Sequence, residues 1–403
     1  MIEGILNVIS NVGHINSFRM FRHILVNALI FSVCTISAQS VHIGRNHIIR
    51  NKLDLKGDTL KLPQGTRLYF ENGACISNGV LLGSDTSISG NIDKIFNQVQ
   101  ISGTWNVPKI STCMFIDIHR DNALKELFAL TSPRVRNQVT IESGDYWLSA
   151  SSDWQAQVQV NSNTEIILEG TVRLRPNKCK GYKMFNLQGD NIYLYGGGTI
   201  IGDRKYHLGK EGEWGMGVNI STGSNIQISG LTISNCWGDC IYVGGNVKDV
   251  KISRCFLVGG RRQGISITAA RRVCIEDCTI RNIAGTAPEY AIDVEPNNSD
   301  TVDYVLIKNV KAIDCNGGYM SWHPNKDSYI GTIEIQNCSV LGRVKHYDYS
   351  FERTRKVIMK NNQGVEKKIR LIANALVKLE NNSIKNQKNS SYLISNCKQV
   401  KKK

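Results

Sequence analysis

Asp293 and Glu295 stand two residues apart in AIDVE (291–295), a run in which apolar residues alternate with the rest. On a strand that spacing puts both carboxylates on one face, about 6.5–7 Å apart at Cα. Such a pair can hold a Ca²⁺ ion, act as acid and base, or orient a cation such as Arg262, and the spacing leaves all three open. Four other runs align with AIDVE: GVNIS (217–221), CIYVG (240–244), GISIT (264–268) and YMSWH (319–323). If their Ile, Val and Met residues point inward, one outward column reads Asn219, Tyr242, Ser266, Asp293, Ser321. The next reads Ser221, Gly244, Thr268, Glu295, His323. The residues leading into these runs add Trp237, Asp239, Arg261, Arg262 and Gln263. The candidate catalytic set is Asp239, Arg262, Asp293, Glu295 and His323. The candidate substrate-binding set is Lys205, Tyr206, Trp214, Trp237, Tyr242, Arg261 and Gln263. The competing reading is a solvated face, since outward charges are ordinary on any strand stack.

The elements that must position these residues repeat along the chain. The motif is apolar, any, apolar, any, a small residue or Asn, then Cys, Leu or Val. It is read at VKISRC (250–255), VCIEDC (273–278), VLIKNV (305–310) and TIEIQNC (332–338), and in weaker form at 192–197, 226–231, 357–362 and 377–382. Its central anchors, Leu194, Ile228, Ile252, Ile275, Ile307, Ile335, Met359 and Leu379, recur every 20 to 34 residues. A period of this length with strand alternation predicts stacked β-coils, a solenoid, and excludes helical repeats. Asp277, Asn309, Asn337, Asn361 and Asn381 precede the Cys slot, where Asn or Asp suits a tight corner in the left-handed region. Shorter versions, TRLYFENGACI (66–76) and TSISG (86–90), extend the stack back to about residue 53. Asn122 to Leu130 reads as a short helix with Asp121 as its N-cap, placed to cover strand edges at the N-terminal side of the stack. Longer intervals mark insertions at 202–217 and 282–290, the expected lips of a cleft.

Composition is globular: 41% hydrophobic, 21% charged, with 49 Lys+Arg against 34 Asp+Glu for a net charge of +15. That balance suits a polyanionic partner such as an acidic polysaccharide. Residues 1–38 read as leader and secretory signal peptide: Arg22 and His23, an apolar run from Ile24 to Ser37, then small residues. The run is too short to cross a bilayer, which takes roughly 20 residues. The expected location is therefore secreted, periplasmic or extracellular, with no membrane insertion once the signal is removed. The remaining boundaries fall at 39–150 for an N-terminal β segment with the helix, 151–385 for the β-helix, and 386–403 for a basic, solvated tail. The 12 Cys recur in repeat slots, Cys255, Cys278 and Cys338 in one and Cys236 and Cys315 in another. They therefore read as small buried hydrophobes rather than as disulfides or a zinc cluster.

These repeats resemble right-handed parallel β-helix proteins of the pectate lyase superfamily. DNALKELFAL followed by QVTIESGDYWLS (121–149) looks like the segment that opens many of them, with Asp-Asn in place of the usual Asp-Asp. RRQGISI (261–267) and AIDVEPN (291–297) resemble a secreted bacterial subgroup. GGGTIIGD (196–203) and WGDCI (237–241) are similar to segments of family 28 glycoside hydrolases, where Asp239 would match one catalytic Asp. The family's Asn-Thr-Asp, Gly-His-Gly and Arg-Ile-Lys signatures are not found here. The resemblance implies an all-β, right-handed parallel β-helix solenoid. Within it, the expected activity is β-elimination on a uronate-containing polysaccharide. Arg261, Arg262 or a Ca²⁺ ion on Asp293 and Glu295 would neutralise the substrate carboxylate, and Tyr242, His323 or Lys205 would be the base. A polygalacturonase-like hydrolase is the first alternative and a non-catalytic glycan-binding β-helix the second. Nucleic acid is not an expected partner.

Overall fold

In the computed structural model, residues 44–323, 327–364, 369–384 and 392–402 are described. The expected leader, residues 1–38, lies outside them. Every strand pairing among the described residues is parallel, and the strands form three long sheets and one six-stranded N-terminal sheet. Coil after coil contributes one strand to each long sheet, of ten, twelve and ten strands. This is a parallel β-helix.

The repeat anchors make its inner wall. Leu194, Ile228, Ile252, Ile275, Ile307, Ile335, Met359 and Leu379 are successive register partners down the twelve-stranded sheet. Those from Leu194 to Met359 are essentially without solvent exposure. Period-2 alternation produces this row because each strand shows one face to the interior. The corners are turned by the residues expected to turn them: Asp277, Asn309, Asn337, Asn361 and Asn381 have φ between 48° and 56°. Their amides also link coils, as where Asn309 donates to Asp277 (2.9 Å) and Asn361 to Asn337 (3.2 Å). The eleven described cysteines are unpaired. Cys255, Cys278 and Cys338 each donate their thiol to the carbonyl two residues back, at 3.3 Å.

Three expectations are corrected. Parallel pairing begins with Asn46–Ile49 against Arg67–Phe70, several residues before 53. The basic C-terminal segment is not a free tail, because Gln399–Lys402 pairs with Leu376–Leu379. The helix, α1 (Ala123–Ala129), is capped by Asn122 in a left-handed conformation without a side-chain bond, not by Asp121. Asp121 instead meets Arg175 at 3.0 Å and accepts from Ser149, both of which hold its carboxyl below the usual range. The helix buries Leu124, Leu127 and Phe128 and lies between Phe96–Trp105 of the N-terminal sheet and Ala156–Val160, the first strand of a ten-stranded sheet.

The ten-stranded sheet that begins with Ala156–Val160 carries the candidate site. Its strands are β1 (Ala156–Val160), β2 (Gly181–Gln188), β3 (Trp214–Thr222), β4 (Ile241–Val243), β5 (Ile265–Ile267), β6 (Tyr290–Val294), β7 (Gly317–Ser321), β8 (Tyr349–Glu352), β9 (Ile369–Ile372) and β10 (Tyr392–Ser395), in spatial as in chain order.

Candidate functional site

The outward column on this sheet begins as the alignment predicts: Asn219, Tyr242, Ser266 and Asp293 are consecutive register partners. It then departs. Asp293 pairs with Met320, and Val294 with Ser321. The alignment had Met320 inward, and a slip of one residue exchanges the two faces of a strand. The reason is Tyr319, which is fully buried, stacks on Tyr349 at 5.3 Å and donates its hydroxyl to the Val310 carbonyl at 2.8 Å. A tyrosine whose hydroxyl finds a partner is a better core residue here than a methionine. Ser321 is consequently buried, bonded to Thr354 at 2.7 Å. His323 is buried too, its Nε2 3.1 Å from the Arg353 carbonyl, and it does not join the groove. Met320 and Trp322 take the outward places.

Arg262 is the hub of the groove. Its terminal nitrogens lie 3.4 Å from Asp239 and 3.5 Å from Glu295, and its Nε is 3.7 Å from Glu213. These carboxylates come from three different turns of the coil. They outweigh the desolvation of Arg262, so its guanidinium is held above its ordinary pKa. Asp239 is 1% exposed and accepts from Ser266 at 2.8 Å; burial raises its pKa despite the opposing pull of Arg262. Asp293 is also 1% exposed, with Gln263 donating to it at 2.7 Å. Burial, then the adjacent Glu295, push its pKa well above the carboxylate range. One oxygen each of Asp239 and Asp293, Oδ1, has no hydrogen-bond partner in the structure. A buried carboxylate with an unspent oxygen is a feature of sites that handle protons.

The other expected site residues fall into two groups. Trp214 and Tyr242 line the groove with Asp293 and Glu295; its volume is about 330 Å³, and Trp154, Lys183 and Asn219 complete its N-terminal end. Trp214 packs against Trp154 at 5.1 Å between ring centres. Tyr242 is raised in pKa by burial and its hydroxyl accepts from Thr268 at 2.9 Å. By contrast, Gln263, Trp237 and Arg261 act from behind. Gln263, on the coil of β5, donates to Asp293 and accepts from the Tyr290 amide, tying the carboxylate and the start of β6 to the preceding coil. Trp237 is sandwiched between His207 (3.8 Å) and the Arg261 guanidinium (3.8 Å), while Arg261 donates to the Gly212 carbonyl at 2.7 Å. His207 is held in turn by buried Asp203 at 2.8 Å. This stack pins the 202–217 insertion in place. Lys205 and Tyr206 are exposed on that insertion and are not among the groove-lining residues.

Sequence reasoning missed Glu213, Trp154, Met320 and Trp322. Glu213 adjoins Trp214 inside a marked insertion, which is a usable signal. The other three depend on register and on packing between coils. The Asp293 and Glu295 oxygens are a poor fit to calcium, which takes six to eight oxygen ligands. Gln263 already occupies one carboxylate and Arg262 faces the other. No group of three or more potential metal ligands occurs among the described residues.

Residues 158–330 match the family model described as a right handed beta helix region. With the coil architecture above, the chain is a right-handed parallel β-helix protein. It is similar to the uncharacterized protein YclG of Bacillus subtilis (strain 168), 32% identical over 170 residues, 37% of this chain and 29% of that one. The SPbeta prophage-derived uncharacterized protein YorA of the same strain is 29% identical over 161 residues, 34% of this chain and 28% of its own. The matches thus span less than a third of the length of these relatives. A Yersinia enterocolitica family 28 exopolygalacturonase aligns over 90% of this chain and 73% of its own, with a TM-score of 0.38 and 10% identity.

Proposed function

We propose that this β-helix is a carbohydrate-active enzyme that hydrolyses glycosidic bonds in its sheet groove. The observation that carries the reading is the arrangement of Asp239 and Asp293. Both are buried carboxylates of raised pKa, set among the charges gathered around one guanidinium, beside an open groove with aromatic rings at its end. Glycoside hydrolysis needs one carboxyl that keeps its proton and one carboxylate that accepts one. Asp293 retains its proton because it is buried and stands beside Glu295, and it supplies the acid. Asp239, facing Arg262 and Ser266, supplies the opposing base. Asp239 and Glu295 sit on the two terminal nitrogens of the same guanidinium, so Arg262 holds the base and the partner of the acid in one charge cluster.

β-Elimination on a uronate is supported less well. That reaction needs a cation free to neutralise the substrate carboxylate beside the base; Arg262 already faces three carboxylates of the protein, and Lys183 stands on β2, toward the N-terminal end of the groove. The test is a glycan panel, neutral and acidic, followed for new reducing ends and for the ultraviolet absorbance of an unsaturated product in parallel. Reducing ends without absorbance are expected. An absorbing product would establish elimination instead. Binding without either product would leave a glycan-binding β-helix.

A further inference from the structure

The outward column continues beyond Asp293 into a second depression that no step above uses. It has a volume of about 320 Å³ and is formed by Tyr290, Met320, Trp322, His346, Tyr347 and Ser350, with the Ala287–Pro288 segment at its rim and Glu352 and Arg370 at its far side. Met320 is the register neighbour of Asp293, so this depression begins one coil past the carboxylates. Two features make it a built surface. Tyr290 is buried, stacked nearly parallel on His346 (5.9 Å, 16°), and His346 is held by Glu289 at 3.2 Å. The charges at its edge are already paired, Arg370 with Glu352 at 2.7 Å and Lys345 with Glu289 at 3.5 Å.

We infer that this depression is a second sugar-binding subsite, and that it takes an uncharged pyranose ring. The inference rests on the hydrolase reading and deepens it. A pyranose offers a face of C–H bonds to an aromatic ring and hydroxyls at its rim. Trp322 and Tyr347 supply aromatic surface with polar groups alongside, the combination that recognises an amphipathic ligand. A uronate would find no uncommitted cation there. The Trp154–Trp214 pair occupies the opposite end of the groove. From β3, which starts at Trp214, to β7, which precedes Trp322, is four coil steps, ~19 Å along the stack. The carboxylates lie between the two aromatic ends. A glycan chain lying along the helix axis therefore has rings held on both sides of the bond that is cut, and cleavage falls inside the chain.

The test is binding of the full chain to arrayed neutral and uronate oligosaccharides of graded length, for wild type, Trp322→Ala, Trp322→Phe and Tyr347→Ala. Wild type is expected to retain neutral oligomers long enough to reach both aromatic ends. Trp322→Ala should weaken them by about tenfold or more, Tyr347→Ala by less, and Trp322→Phe should restore most of the affinity by returning a ring. Unchanged binding in both alanine variants, a preference for uronates that Trp322→Ala abolishes, or no binding of any glycan by wild type would each overturn the subsite. Should Trp322→Ala fail to fold, Tyr347→Ala and Trp322→Phe decide alone, and wild-type affinity in the first with full affinity in the second counts against it. Trp322-dependent binding without cleavage would remove the hydrolase reading and leave the subsite standing. Cleavage indifferent to Trp322 and Tyr347 would do the reverse.

Discussion

Asp293 concentrates the conflict between stability and chemistry. Its pKa is raised in the fold, so between its ordinary value of 3.8 and the raised value the native state holds a proton that the unfolded chain has lost. Stability from this group therefore falls as pH rises above 3.8. Asp293→Asn, which keeps an oxygen to accept from Gln263, removes that penalty. Thermal unfolding should show the variant more stable than wild type well above this pH and no more stable well below it. An unchanged difference across the range would show that Asp293 is not protonated by its surroundings. Replacing Gln263 by Leu should act differently: it takes from the Asp293 carboxylate its donor on the preceding coil and leaves the Tyr290 amide without its side-chain partner. A loss of about 1–3 kcal/mol in denaturant unfolding is expected, together with an alkaline limb of the pH profile of cleavage displaced to higher pH, because the Asp293 carboxylate loses the bond from Gln263. Asp293, Glu295 and Asp239 were legible in the sequence because strand spacing and an adjacent Gly-Asp turn exposed them. Glu213 was less so, since its approach to Arg262 depends on how the insertion folds back, and spacing carries no information about that.

At the level of elements, period 2 made the inner wall readable and also set the limit of that reading. The isoleucine anchors stack because a one-residue slip would turn them out to water. Ile275→Ala should cost about 2–5 kcal/mol, the range for large-to-small changes in a packed core, seen as a lower denaturant midpoint. The corner asparagines were equally readable. Asn309→Val, which forces a β-branched residue into a left-handed conformation (φ 54°), should cost at least the roughly 1–2 kcal/mol charged for that geometry. A cost near zero would mean that the corner relaxes. The segment 317–323 shows where such reasoning fails. One register places Met320 and Trp322 inside, the other Tyr319, Ser321 and His323. The choice is made by a hydroxyl finding Val310 and a ring finding Tyr349, contacts to neighbouring coils that no local pattern announces. The consequence reaches function: the slip sends His323 inward and brings Trp322 to the surface.

Across the described molecule, charge proved a poor guide to the groove. The chain carries +15, yet the groove gathers Glu213, Asp239, Asp293 and Glu295 around Arg262. Much of the positive charge lies elsewhere, as with Lys251, Lys308, Lys360 and Lys378 on outward rows of the twelve-stranded sheet. Net charge averages over faces that the β-helix keeps apart, whereas the site is built from residues more than 80 positions apart, Glu213 to Glu295, brought together by coil stacking. The central claim, that these carboxylates cut a glycan by acid–base hydrolysis, is tested most directly by the rate of reducing-end release on the panel of glycans. Wild type is compared with Asp239→Asn and Asp293→Asn, each confirmed as folded by circular dichroism. The account predicts that wild type releases reducing ends and that each variant is slower by about 10²–10⁴-fold, the contribution of a positioned acid or base. Release at the wild-type rate by both variants would contradict it.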